Sequence, residues 1–295
     1  MLDKTIGIHP LDFDSIDTLV FAGGGNRCWW QAGALGFLME RGVRLPAQLV
    51  GTSAGAAVAA SFLVQGTEKA RQACLKLYAG NPRIFDWSAL TAFKLKFAHQ
   101  HIYPAWVDAF FNEATFATLR GASSRLTVAL TRPAKWLGMG GSVAAGTLAY
   151  LVDKYLWNSI HPRLPARLGL RQDFMVLNDC PDIATAQSLL IAAASAPPIM
   201  SARAVGGAHA IDGGYIDNAP IPAQSDAERS KTLVMLTRHY PKLPQLFTWQ
   251  GRTYWQPSRR IPVSTWDCTP KTTVNEAYDL GRQDGAYVLS GRLLR

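Results

Sequence analysis

The amino-acid sequence predicts an α/β fold in which helices cover both faces of a parallel sheet. Short apolar segments rich in β-forming residues alternate with helix-compatible segments along most of the chain. Hydrophobic residues make up 48% of the 295 positions, which is enough for a sizeable core. The sequence contains no internal repeat, low-complexity tract or linker, so we expect residues 1–295 to form a single domain.

The first elements form a strand-helix-strand-helix unit. Residues 18–22, TLVFA, are predicted as a strand that ends in the three consecutive glycines at 23–25, and residues 29–41 are predicted as a helix. The segment QLVGT at 48–52 is predicted as a second strand, and the alanine-rich residues 56–65 as a second helix. Units of this kind build parallel sheets that are covered on both faces.

The alternation continues in the second half of the chain. Residues 125–131, 173–178 and 232–237 are predicted as strands, and residues 182–196 as a helix between the last two of them. Together with the first unit, these segments provide the strands and helices of one sheet.

The segment 136–152 departs from this pattern because it carries no charged residue. Arg132 and Lys135 precede it, and aromatic residues stand at or near its ends. Two interpretations remain open for this apolar insertion, which spans about residues 132–160. It is either a buried helix or lid over the core, or a segment that lies at a membrane surface, where aromatic and basic flanks act as anchors.

The charge balance indicates an anionic partner. The chain has 30 Lys+Arg and 21 Asp+Glu, which gives a formal net charge of +9. This charge suits a nucleic acid or an anionic membrane equally well. However, the basic residues occur in short groups without a nucleic-acid-binding motif. We therefore expect no nucleic-acid partner and a peripheral contact with anionic membrane.

The cysteines and the N-terminus carry no targeting or metal-binding signal. The four cysteines, Cys28, Cys74, Cys180 and Cys268, lack the spacing of a zinc site or of a disulfide framework, so we expect no metal. The first 20 residues contain four aspartates and no uninterrupted apolar run typical of a signal peptide. The expected location is cytoplasmic. Length and four interior glycines favour a buried segment at 136–152, and a peripheral membrane contact through these residues is the alternative.

A G-x-S-x-G motif provides a candidate nucleophile. Gly51-Thr52-Ser53-Ala54-Gly55 lies between a predicted strand and a predicted helix, the context in which this motif presents a serine hydroxyl. Gly51 and Gly55 permit a sharp turn that places Ser53 at the carboxyl end of the sheet. The N-terminus of the following helix stabilises negative charge that develops there.

Two residues are candidates for the base that Ser53 requires. His239 follows the predicted strand 232–237 and would complete a Ser-Asp-His triad. Asp212 stands between a short apolar run and the glycines Gly213 and Gly214, so a loop could present its carboxylate directly to the serine. The residues alone leave both candidates open.

The glycine run after the first strand is a candidate oxyanion hole. Its backbone N–H groups are unobstructed by side chains, and Arg27 could reinforce the positive potential. The run does not fit a nucleotide-binding motif. The third position of the Rossmann pattern is Cys28, and no Gly-Lys-Ser/Thr follows.

These motifs, in this order, resemble those of the patatin-like phospholipase family. The residues that carry the resemblance are Gly23-Gly24-Gly25-Asn26-Arg27, the Ser53 motif and Asp212-Gly213-Gly214, the last within IDGGYIDNAP at 211–220. The similarity covers about residues 18–236. The chain departs from the family after Arg27, where many relatives have glycine and this sequence has Cys28-Trp29-Trp30.

The resemblance implies a three-layer α/β/α sandwich with a mostly parallel central sheet. It implies a Ser-Asp dyad that hydrolyses acyl esters of phospholipid or lysophospholipid without a metal or organic cofactor. In this chain Ser53 would be the nucleophile and Asp212 the base. The oxyanion region would comprise Gly24, Gly25, Asn26 and Arg27.

Two alternatives remain. One is a soluble carboxylesterase or lipase with a Ser53-Asp-His239 triad. The other is a non-catalytic lipid-binding module that has kept the fold, although the presence of both Ser53 and Asp212 argues against it. The lipid head group, the sn position, the acyl acceptor and the oligomeric state stay open.

Overall fold

The computed structural model describes residues 11–88, 95–157 and 159–291. The expectations about residues 1–10, and about residue 158 of the apolar insertion, lie outside the described chain. In the described ranges nine strands form one sheet: β1 (Thr18–Phe21), β2 (Gln48–Thr52), β3 (Arg125–Arg132), β4 (Arg171–Val176), β5 (Arg203–Val205), β6 (Ala208–Asp212), β7 (Thr232–Met235), β8 (Leu246–Trp249) and β9 (Arg252–Trp255).

The centre of the sheet is parallel and its margins are antiparallel. The strand order is β5-β6-β3-β2-β1-β7-β9-β8, with β4 also paired to β3. The five strands β3-β2-β1-β7-β9 run parallel, so that Val20 of β1 lies between Val50 of β2 and Val234 of β7. Strands β4, β5, β6 and β8 each pair antiparallel with a neighbour.

Ten α-helices occur in the described part of the chain, and helices lie on both sides of the sheet. They are α1 (Cys28–Met39), α2 (Ala54–Leu63), α3 (Thr67–Ala79), α4 (His99–Phe110), α5 (Glu113–Arg120), α6 (Gly138–Val152), α7 (Leu164–Arg167), α8 (Ile183–Ala193), α9 (Asp226–Ser230) and α10 (Val274–Leu289). Side chains of β1 alternate between two apolar cores, with Leu19 and Phe21 in the larger core and Val20 in the smaller one.

The predicted α/β class and the initial β1-α1-β2-α2 unit are confirmed. The strand expected at 173–178 is β4. It is the strand after β3 in the chain, and it pairs antiparallel with β3. Residues beyond 236, outside the region of resemblance, supply β8, β9 and α10.

Helix α10 packs closely against α1 because glycines stand where the two backbones meet. A Cβ atom on Gly33 of α1 would lie 2.0 Å from the carbonyl oxygen of Tyr278, and one on Gly281 of α10 would lie 2.1 Å from the carbonyl oxygen of Trp30. The indole Nε1 of Trp30 donates a hydrogen bond of 2.7 Å to the buried carboxylate of Asp284. These contacts hold α1 in place, the helix that follows the glycine loop at residues 23–27.

The apolar insertion forms α6 and a short continuation of it. Only small residues of α6 are buried, namely Ser142, Gly146 and Ala149. The interpretation of the insertion as a buried helix therefore does not hold for the larger side chains of α6. Five of these in and beside the helix are exposed, and we call them the apolar patch: Trp136, Leu148, Leu151, Leu156 and Trp157. No helix in the described ranges is long and apolar enough to cross a bilayer.

The contact of α1 with α10 predicts opposite effects for two substitutions on one helix. Gly33→Ala places a methyl group 2.0 Å from a backbone oxygen, so we expect the free energy of unfolding to fall by about 1–3 kcal/mol. A Cβ atom on Gly36 would lie 3.7 Å from the Tyr278 hydroxyl, so Gly36→Ala should raise that energy by about 0.5–1 kcal/mol. Urea unfolding measures both values, and equal effects would contradict the packing described.

Candidate active site

Ser53 occupies a sharp turn between β2 and α2. Its φ of 53° and ψ of −135° form a conformation that L-residues rarely adopt. The glycines on either side allow the close approach of strand and helix. A Cβ atom on Gly51 would lie 2.5 Å from the Cα atom of Ala56, and one on Gly55 would lie 2.5 Å from the carbonyl oxygen of Ala22. The turn therefore requires the two glycines of the motif.

Pairing with β3 brings Asp212 next to Ser53. The last residue of β2, Thr52, pairs with Ala129 of β3. The next residue of β3, Leu130, pairs with Asp212, the last residue of β6. Strand β6 therefore occupies the position beyond the end of β2, along the same edge of β3. The C-terminal ends of β2 and β6 therefore face each other, and Ser53 and Asp212 lie where the two ends meet.

The carboxyl group of Asp212 is buried and held by hydrogen bonds. Ser53 and Asp212 are each 7% exposed. The Asp212 Oδ1 atom accepts a hydrogen bond of 2.7 Å from the Gly214 N–H group. Burial raises the pKa of Asp212 to about 6, while hydrogen bonds from the Ser53 side chain and the Gly214 amide act in the lowering direction. At neutral pH the carboxyl is ionised, yet it binds a proton more tightly than an exposed aspartate does.

Two glycines present free amides beside this pair. A Cβ atom on Gly24 would lie 2.5 Å from the Thr237 hydroxyl oxygen, and one on Gly25, with φ of +56°, would lie 2.3 Å from the Thr265 carbonyl oxygen. Neither glycine donates its N–H group to an acceptor among the residues described. Both line the same cleft as Ser53, so their amides are available to an oxyanion.

Asn26 has a different role in the structure from the two glycines. Its N–H group donates to the Thr265 carbonyl oxygen at 3.1 Å, so this amide is engaged within the protein. Its side-chain Nδ2 donates to the carbonyl oxygens of Ser264 and Asp267, and its Oδ1 accepts from the Tyr78 hydroxyl. Asn26 thus ties the glycine loop to the segment 264–267.

Arg27 lies at the edge of the site. Its Nε donates to the Gly24 carbonyl oxygen at 3.2 Å, and its side chain lines the cleft. It therefore brings positive charge to the loop that carries the free amides.

The N–H group of Ala54 is a further candidate donor, which the sequence analysis did not name. Ala54 is the first residue of α2, and the first N–H groups of a helix have no partner within it. The position directly after the nucleophile often supplies an oxyanion donor at such turns. Its place in the G-x-S-x-G motif was the signal that could have identified it.

The cleft that reaches Ser53 and Asp212 has a volume of about 1380 Å³. Arg27, Arg238, His239 and Arg260 are among the side chains that line it. The Nδ1 atom of His239 is within hydrogen-bond distance of the Pro257 carbonyl oxygen, at 2.9 Å. The hydrogen bonds to the Asp212 carboxyl come from Ser53 and Gly214.

The described residues form no candidate metal centre, although Cys28 and Cys74 line a pocket next to Ser53. Across the ranges that the structure covers, no group of three or more His, Cys, Asp or Glu side chains could hold a metal ion. The four cysteines are free and buried.

One of the comparisons with known proteins identifies a family. The family model described as patatin-like phospholipase matches residues 19–223, more than half of the chain. The crystal structure of VipD from Legionella pneumophila is similar in fold, with a TM-score of 0.49 and 12% sequence identity. That alignment covers 95% of this chain and 67% of that chain. No curated protein matches the sequence.

The raised pKa of Asp212 predicts how Asp212→Asn changes stability with pH. A raised pKa favours the protonated folded state, so the native chain loses stability as the pH rises from about 3.8 to about 6, whereas the variant does not. A rise of the pKa to about 6 is worth on the order of a few kcal/mol. Relative to the native chain, the variant should therefore gain stability in urea unfolding as the pH rises from about 4 to about 6, and keep that gain at higher pH. An offset that is constant across pH would refute the assignment.

Proposed function

Because the chain belongs to the patatin-like phospholipase family, a family of lipid acyl hydrolases, we propose that it cleaves fatty-acyl esters of lipids at Ser53. One observation carries the proposal. The register of β3 sets the Ser53 hydroxyl against a buried carboxyl, Asp212, beside the free amides of Gly24 and Gly25. We assign the activity to the phospholipase A or lysophospholipase type, with a phospholipid or lysophospholipid as substrate.

In the first step Asp212 removes the proton of the Ser53 hydroxyl as the serine oxygen attacks the ester carbonyl carbon. The amides of Gly24 and Gly25 donate hydrogen bonds to the oxyanion that forms. When the tetrahedral intermediate collapses, the bond to the alcohol oxygen breaks and Asp212 returns the proton to it. The alcohol or lysolipid leaves, and the acyl group stays on Ser53.

In the second step water attacks the acyl-enzyme. Asp212 takes a proton from the water, the same amides hold the second oxyanion, and the bond to the serine oxygen breaks. The proton returns to Ser53 and a fatty acid leaves. Another alcohol in place of water would make the same site an acyltransferase.

The geometry favours the dyad over the Ser53-Asp-His239 triad of a soluble carboxylesterase. A triad needs the histidine between serine and carboxylate. Here the Asp212 carboxyl interacts directly with Ser53, whereas the Nδ1 atom of His239 lies within hydrogen-bond distance of the Pro257 carbonyl oxygen. A pKa of about 6 on a buried carboxyl next to a serine also favours an enzyme over a lipid-binding module.

We also propose that the apolar patch docks the protein on anionic membrane. Trp136 and Leu156 are 72% and 74% exposed, which is unusual for large apolar side chains grouped on one segment. Thr147 and Tyr150 of the same helix line the cleft. A patch that enters the lipid interface would therefore hold the cleft at the membrane surface. The net charge of +9 favours an anionic surface.

The test of the catalytic assignment is loss of chemistry without loss of fold. Ser53→Ala should abolish both ester cleavage and labelling by a fluorophosphonate, because the attacking oxygen is gone.

Asp212→Asn should lower kcat by about a hundredfold or more, the range of general-base catalysis. The acidic limb of the native pH–rate profile should lie near pH 6. His239→Ala is the control and should retain activity.

Labelling that survives Ser53→Ala would place the nucleophile elsewhere. Loss of activity in folded His239→Ala would restore the triad. Near-native melting curves establish that each variant is folded.

The membrane assignment predicts that Leu148→Ser with Leu151→Ser weakens binding to vesicles that contain anionic lipid. Each buried leucine contributes about 1.5–3 kcal/mol, so the pair should lower the affinity at least tenfold. Leu289→Ser on α10, also at an exposed leucine, is the matched control and should bind as the native chain does. Co-sedimentation measures binding. Equal loss in both variants, or none in either, would overturn the docking proposal.

A further inference from the structure

The loop that follows Asp212 joins the two halves of the candidate site. Gly214, in this loop, donates its N–H group to the Asp212 carboxyl at 2.7 Å. Further along the loop, the carbonyl oxygen of Asn218 accepts a hydrogen bond of 2.7 Å from the Gly23 N–H group. Gly23 is the first glycine of the run that presents the free amides. The loop at residues 213–218 is therefore bonded both to the candidate base and to the glycine run.

Asp217 lies in this loop and is held by His161. The Nδ1 atom of His161 lies 2.5 Å from Oδ2 of Asp217. A carboxylate accepts hydrogen bonds but cannot donate them, so Nδ1 donates in this contact. The other carboxylate oxygen, Oδ1, accepts a hydrogen bond of 2.9 Å from the Ala219 N–H group. One oxygen of this buried carboxylate is thus bound by the backbone of its own loop, and the other by His161.

Two aromatic side chains fix the orientation of the His161 ring. The ring stacks on the indole of Trp249 in β8, with ring centroids 5.6 Å apart and an angle of 12° between the planes. Its Nε2 atom lies 2.9 Å from the hydroxyl oxygen of Tyr254 in β9. Burial raises the pKa of Tyr254, so this hydroxyl keeps its proton and can donate it to a neutral His161. Both ring nitrogens therefore have partners, and Nδ1 is directed at Asp217.

His161 belongs to the segment that follows the apolar patch. Trp157 of the patch stands shortly before it in the chain. Earlier in the same segment, the buried carboxyl of Asp153 lies 3.8 Å from Nη1 of Arg238, a residue that lines the cleft. The segment therefore contacts the surroundings of the site at two points, Arg238 and Asp217.

We infer that His161 is a positioning residue for the chemistry at Ser53, because through Asp217 it holds the loop that is bonded to Asp212 and to the glycine run. His161 is not among the described residues that line the cleft, so we assign it no contact with the lipid. Its loss should lower kcat and leave KM nearly unchanged, since a misplaced base and misplaced oxyanion donors affect the transition state rather than lipid binding. The inference rests on the proposed function, because it concerns acyl transfer at Ser53.

His161→Asn and His161→Gln form a matched pair of variants. The amide nitrogen of the shorter side chain can take the place of Nδ1 and donate to Asp217, whereas that of the longer one reaches the place of Nε2 and faces Tyr254. His161→Phe keeps a ring on Trp249 and removes both nitrogens. Because His101 is exposed on α4, His101→Phe is the control for the substitution itself.

The experiment measures kcat and KM for p-nitrophenyl decanoate in one detergent, together with the rate at which a fluorophosphonate labels Ser53. His161→Phe and His161→Gln should lower kcat and the labelling rate about tenfold to a hundredfold, with KM within about twofold of the native value. His161→Asn should recover most of both rates, and His101→Phe should match the native chain. Melting curves establish that each variant is folded at the assay temperature.

The outcomes separate this inference from the proposed function. Native rates in folded His161→Phe, or equal rates in His161→Asn and His161→Gln, would overturn the role of His161 and leave the hydrolase standing. A folded native chain that neither cleaves the ester nor is labelled at Ser53 would overturn the proposed function, and the inference with it. If His161→Phe fails to fold, the comparison of His161→Asn with His161→Gln decides the question alone.

Discussion

The candidate site depends on the way in which β2 and β6 share one edge of β3. Thr52 pairs with Ala129, and Asp212 pairs with the adjacent Leu130, so the serine after β2 and the aspartate that ends β6 meet at a fixed point of the sheet. This pairing buries the carboxyl, and burial raises its pKa to about 6. Burial of the carboxyl costs stability. In the proposed mechanism it favours proton transfer, because a carboxylate that is poorly solvated binds the serine proton more tightly.

Residues far along the chain hold the glycine loop at residues 23–27 in place. Thr237 and Thr265 fill the space that side chains at Gly24 and Gly25 would need, and Asn26 is bonded to the segment 264–267. These contacts lie beyond residue 223, where the family match ends. Helix α10 also fixes α1 directly after the loop. The C-terminal region is therefore part of the structure that orients the free amides.

The surroundings of Ser53 are chemically divided. Arginines line the cleft, and the apolar patch lies on and beside α6, a helix that borders this cleft. Such a division suits an amphiphilic ester. In the proposed function the polar part of the lipid lies in the cleft, and the apolar patch contacts the membrane that supplies the lipid.

The sequence by itself determined the local elements of this protein. Alternating apolar segments predicted the β1-α1-β2-α2 unit, and Gly51, Ser53 and Gly55 predicted the turn, because a strand can enter a helix so sharply only where glycines permit close approach. The motif around Asp212 made this residue a candidate base, although the sequence left His239 as a rival candidate.

Only the tertiary structure decided which distant groups meet. The antiparallel approach of β6 to β3, the hydrogen bonds of Asn26 to the segment 264–267 and the hydrogen bond of Trp106 to Ala70 all join segments that are apart in the chain. Local patterns carry no information on such contacts, because strand register and side-chain packing are set by the whole core at once.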